Sequence, residues 1–101
     1  MTAEEACRAY VAANADIRRL TREIGNALEL CPRLKDGSET THLHDYYDRS
    51  NIQRAVGMGD IAPLECEHCI KADVLIQKRK AARRRLGVVK AMITKIGKGK
   101  I

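Results

Sequence analysis

Residues 2–32, TAEEACRAYVAANADIRRLTREIGNALELCP, decide the fold. Thr2-Ala-Glu-Glu5 is a capping box, with Thr2 as N-cap and Glu5 three positions on. Apolar or small residues then recur at Ala3, Ala6, Tyr10, Ala13, Ile17, Leu20, Ile24, Ala27 and Cys31. Steps of three and four alternate without a break, which is a heptad seam. Pro32 ends it. The pattern predicts a helix over about residues 2–31, roughly 42 Å long at ~1.5 Å per residue.

The other end of the chain follows the same rule. Ala72, Leu75, Arg79, Ala82, Leu86, Val89, Ile93 and Ile96 form a second seam, with Gly97 as its stop, predicting a helix over about 66–97. An antiparallel pairing in which residue numbers sum to 99 fits both seams. It places Ile24 opposite Leu75, Leu20 opposite Arg79, Ile17 opposite Ala82 and Tyr10 opposite Val89. Ala27 then faces Ala72, Ala13 faces Leu86, Ala6 faces Ile93 and Ala3 faces Ile96. Large residues meet small ones in several layers, as close packing prefers. Flanking positions put Asp16 near Arg85 and Glu23 near Lys78.

Composition agrees with an all-α chain. The 101 residues form one domain with little room for a large core, and contain three Tyr, no Phe and no Trp. Leu, Ile, Val and Ala must fill the core, which suits long helices. The expected architecture is an antiparallel, coiled-coil-like helical hairpin, its two arms joined by a connection over residues 32–65. That connection is too long to be an idle loop. Asp36-Gly37 marks a turn, and Ser50-Asn-Ile-Gln53 is a further capping box. It opens a short third helix over about 51–56, which Gly57 and Gly59 stop.

The connection carries the metal chemistry. Cys66 and Cys69 stand in C-x-x-C spacing, and the hairpin register brings Cys31 opposite position 68, between them. Three converging thiols need a fourth ligand to close a tetrahedral structural zinc site. His44 is the first choice because Asp45 beside it can orient its ring, and His42 is the second. His68 inside the C-x-x-C is expected to point away, and Cys7 lies too far up the first helix to join. A connection with few large apolar residues cannot close by burial alone. Structural zinc contributes roughly 10 kcal/mol or more of apparent binding free energy. A redox role requires a βαβ setting that is absent here, and no motif of a catalytic zinc is present. The chain therefore reads as a binding protein and not as an enzyme.

Charge is divided between the halves. Residues 1–70 hold 8 basic and 12 acidic side chains, whereas residues 71–101 hold 11 basic and one acidic. Lys78 and Arg85 have acidic neighbours in the register and Arg79 can snorkel from the seam, which leaves Lys80, Arg83 and Arg84 outward. Lys90, Lys95, Lys98 and Lys100 extend the charge. Such a helix is expected to meet nucleic acid or a nucleoprotein through phosphates, with strong salt dependence and little sequence preference. The alternative is a protein adaptor or inhibitor that docks on an acidic surface or in a nucleic-acid channel of another protein. A second apolar stripe of Val74, Ala81, Val88 and Met92, with Ile76 nearby, favours protein docking or a homodimer. No apolar run spans a membrane and nothing resembles a signal peptide, so the expected setting is cytoplasmic.

Cys66-Glu-His-Cys69 followed by a charged helix resembles the zinc end of the small coiled-coil regulators of RNA polymerase. Only those four residues carry the resemblance. The first C-x-x-C of that family is missing, with Cys31 standing alone, and its acidic hairpin tip is also absent.

Overall fold

The structure, a computed structural model, describes residues 2–57 and 63–97. Among these it is all-helical, with four helices: α1 (Ala3–Glu29), α2 (Pro32–Lys35), α3 (His42–Val56) and α4 (Glu67–Gly97). No strand is present among the described residues. The expectations attached to Gly59, Lys98 and Lys100 fall outside them.

Helix α1 begins where its cap dictates, with the Glu5 backbone N–H donating to the Thr2 hydroxyl at 3.2 Å. Six of the nine seam positions are buried: Ala6, Ala13, Leu20, Ile24, Ala27 and Cys31. The heptad step thus identifies the face that leaves water. Pro32 has two consequences. It cannot continue α1, and it takes the first position of α2, where a missing N–H costs nothing.

Helix α3 departs from the sequence expectation. It has 15 residues and starts at His42, nine positions before the short helix expected at 51–56. Thr41 is its N-cap, with extended backbone and a hydroxyl that accepts from the His44 N–H at 3.1 Å. Ser50 caps nothing. Its hydroxyl donates to the Tyr46 carbonyl at 2.8 Å inside the helix, an alternative partner always open to a mid-helix serine. At the far end Gly57 does terminate α3. It adopts the left-handed conformation (φ 67°), and its N–H reaches the Gln53 carbonyl at 2.7 Å. Gly37 takes φ 90° after Asp36, as the turn signal requires.

The chain divides into two compact units. One combines the stretch of α1 through Arg22 with the stretch of α4 from Ile76. Its buried residues are Ala6, Ala13, Leu20 and Ala82, and Arg79 on α4 donates to the Thr21 hydroxyl on α1 at 3.3 Å. The other unit is Glu23–Leu75, which buries Ile24, Ala27, Cys31, Leu43, Cys69 and Ala72. In this second unit the Tyr47 hydroxyl on α3 donates to the Asp73 carboxylate on α4.

The two expected interhelical ion pairs do not form. Asp16 pairs instead with Arg19 on its own helix at 3.7 Å, and neither Asp16–Arg85 nor Glu23–Lys78 is bridged among the described residues. Both pairs would lie at the exposed margin, where ordering two long side chains costs about what a surface pair returns.

Candidate functional site

The ends of helices deliver three cysteines to one place. Cys31 is the N-cap residue of α2, Cys66 immediately precedes α4, and Cys69 lies in the first turn of α4. Their sulfur atoms all lie within 4.8 Å of one another. Cys31 and Cys69 are 0% exposed, while Cys66 is half-buried. Cys7 is exposed on α1 and stands apart. Three thiols at this spacing can hold a metal ion, since a soft cation some 2.3 Å from each sulfur bridges them without moving the backbone far.

Backbone amides surround two of the sulfurs. The N–H groups of His42, Arg33 and Leu34 are directed at Cys31, and the N–H of Leu43 is directed at Cys69. His42 and Leu43 are the first two residues of α3, whose opening amides have no partner within the helix. Burial opposes ionisation of Cys31, but those amides and the Cys69 thiol outweigh it and hold its pKa below the ordinary 9.0. Burial pushes the Cys69 thiol up to about 12, with Cys66 and the Cys31 charge adding to the rise. Of the two, Cys31 gives up its proton the more readily, and the Cys69 thiol, which holds its own, is directed at it.

The histidines separate. His44 turns along α3, its Nδ1 3.3 Å from an Asp48 oxygen, and its ring lies outside the thiol cluster. Asp45 does not orient it. Its carboxylate pairs with Arg33, which ties the start of α3 to α2. His68 sits 3.5 Å from a Glu67 oxygen. The His42 ring also falls outside the sulfur group, but it lines an open cleft of about 570 Å³ together with Cys66, Arg33, Asp45, Arg49 and His68.

Sequence reasoning missed the amides of His42 and Leu43 as groups facing the sulfurs. Their signal was Thr41, an N-cap residue directly before H-x-H.

The basic segment lies on α4. Lys78, Lys80, Arg83, Arg84, Arg85, Lys90 and Lys95 are all exposed, and among the described residues none of them forms an ion pair. Arg79 alone turns inward, and its Nε is buried without a partner. On the second stripe Val74 is 50% and Val88 63% exposed, while Ala81 and Met92 are half-buried. No described helix is long and apolar enough to cross a membrane. No protein-family model, no curated protein and no solved structure matches the chain.

Proposed function

We propose that the chain is a zinc-tied antiparallel hairpin of α1 and α4 that binds nucleic acid, or a nucleoprotein, through the basic face of α4. It binds and does not catalyse. The observation that carries this function is the run of residues 78–85, where six of eight side chains are Lys or Arg and five are exposed with no acidic partner among the described residues. Like charges at i,i+4, such as Lys80 with Arg84, destabilise a helix by roughly 0.2–0.5 kcal/mol per pair. A helix that retains such repulsion gains most from a polyanion, whose phosphates relieve it and release counterions.

Two features support the hairpin. The α1 stretch through Arg22 shares a compact unit with the α4 stretch from Ile76. The Arg79–Thr21 bond falls one residue from the layer expected for Arg79. Zinc is favoured by the cysteines themselves, because thiolate donors with tetrahedral closure are the habit of structural zinc. The metal holds α2, α3 and the start of α4 together where burial is scant.

Exposed Val74 and Val88 support a second reading, in which α4 docks on a protein with an acidic surface or pairs with another copy of the chain. A salt titration of nucleic-acid binding separates the two. Phosphate contact gives nucleic-acid binding whose log affinity falls linearly with log salt, whereas on the second reading the chain binds nucleic acid only weakly at physiological salt.

A further inference from the structure

From the cleft beside the thiols we infer that His42, and not His44, completes the metal site, giving a centre of Cys31, Cys66, Cys69 and His42. This rests on the metal reading above and specifies its fourth ligand. Three sulfurs leave one tetrahedral position open. Cys31 and Cys69 are closed off by protein, whereas Cys66 is the half-buried member and borders the cleft. The open position therefore faces the cleft, and its occupant comes from the groups that line it.

Those groups are few, and most are engaged. Asp45 is paired with Arg33. His68 is turned to Glu67, its Nε2 3.5 Å from a carboxylate oxygen. Glu65 and Glu67 are exposed. His44 does not line the cleft at all, and its Nδ1 is held by Asp48 one turn along α3. His42 differs from each of these. It lines the cleft, its ring makes no hydrogen bond or ion pair among the described residues, and its backbone N–H already donates to the Cys31 sulfur. Its main chain is thus fixed against one ligand, and the movement the assignment requires of the imidazole is rotation about its own side-chain torsions within the cleft that Cys66 also lines. Thr41 fixes the same end of α3 through its cap, so the helix start is held in place for this purpose.

His42→Ala removes the ring and leaves the amide on Cys31 untouched, so it isolates the inferred ligand. The test uses the full chain, stripped and reloaded with cobalt(II) or zinc, as wild type, His42→Ala, His42→Gln, His44→Ala and His68→Ala. X-ray absorption of the zinc-loaded wild type is expected to show three sulfurs near ~2.3 Å and one nitrogen near ~2.0 Å, with imidazole scattering. That scattering and the cobalt d–d band pattern are expected to change in both His42 variants and to persist in the other two. Zinc affinity is expected to fall at least about a hundredfold in the His42 variants, beyond what loss of a group that merely hydrogen-bonds a ligand costs.

Persistence of the imidazole signal in His42→Ala, or its loss in His44→Ala or His68→Ala, overturns the assignment and leaves the three-cysteine reading standing. A wild type with three sulfurs and an oxygen does the same. A wild type that takes up no metal overturns both. His42→Gln keeps a side chain of similar size at the helix start, so misfolding of His42→Ala alone does not obscure the result.

Discussion

The hydroxyl of Tyr47 on α3 donates to the carboxylate of Asp73 on α4, and this bond fixes the helix whose first two amides face the thiols. Hydrogen bonds to charged groups contribute about 1.5–3 kcal/mol, and partial exposure here favours the lower figure. Tyr47→Phe is expected to cost about 1.5 kcal/mol in urea denaturation of the metal-loaded chain. It should also weaken metal affinity, since α3 is then held to α4 less firmly. Unchanged stability and affinity together would show that the bond positions nothing.

The thiols give a second expectation with a defined direction. Cys69 keeps its proton up to about 12, so metal binding must displace it at every ordinary pH. Affinity is therefore expected to fall by at least about tenfold for each pH unit lost, one proton being exchanged per ion. The metal-free fold behaves oppositely. A thiol raised from 9.0 to about 12 stabilises the folded state below 9, and that contribution disappears as pH climbs between the two values. Zinc-loaded protein followed by thermal melting should gain stability as pH rises toward 8, while chelated protein should lose it above 9. Cys69→Ser is expected to abolish metal binding, with Cys7→Ser as the silent control because Cys7 lies outside the cluster.

Legibility in the sequence followed how each helix is held. Helices α1 and α4 carry long apolar stripes, and Thr2 and Pro32 mark the ends of α1 while the C-x-x-C marks the start of α4, each to within about three residues. Helix α3 has no such stripe. Leu43 is its one fully buried side chain among those described, and its fixings are a cap, an ion pair and the Tyr47 bond. Partners of that kind are remote in sequence, and Ser50-x-x-Gln53 is a stronger local start signal than Thr41-x-x-His44, which lacks the Glu or Gln of a capping box. The cysteines were legible because Cys31 closes the α1 seam directly before Pro32 and the C-x-x-C opens α4, helix boundaries that the residues themselves mark. The histidine choice was not, since whether His42 or His44 faces the cleft depends on where α3 begins.

Arg79 interrupts the α4 seam. Its guanidinium reaches the Thr21 hydroxyl, but Nε is buried with nothing to bond. A buried unsatisfied donor costs about 1–3 kcal/mol. Arg79→Leu restores the apolar seam beside Leu20 and is expected to raise stability by about 1 kcal/mol or more, read as a shift in the denaturation midpoint at constant slope. A destabilised Arg79→Leu would mean that the arginine stem packs better than leucine can.

The basic face can be dissected without disturbing the fold, because Arg83 and Arg84 are exposed and pair with no described residue. Their joint replacement by alanine should leave helicity unchanged or slightly raised, alanine being the better helix former and the repulsion with Lys80 being removed. If phosphates are the partner, binding to duplex DNA or RNA should weaken whatever its sequence. The slope of log affinity against log salt should flatten by up to about two, one for each lost phosphate contact. Val74→Ser and Val88→Ser, which alter the apolar stripe and no charge, should leave that slope alone. A protein partner predicts the reverse: the valine changes weaken complex formation and the arginine changes alter mainly the rate of encounter. Fluorescence anisotropy across a salt series measures both. Wild-type affinity weaker than about 100 μM at physiological salt, the feeble end of non-specific binding, would exclude nucleic acid as the principal partner and assign α4 to a protein surface.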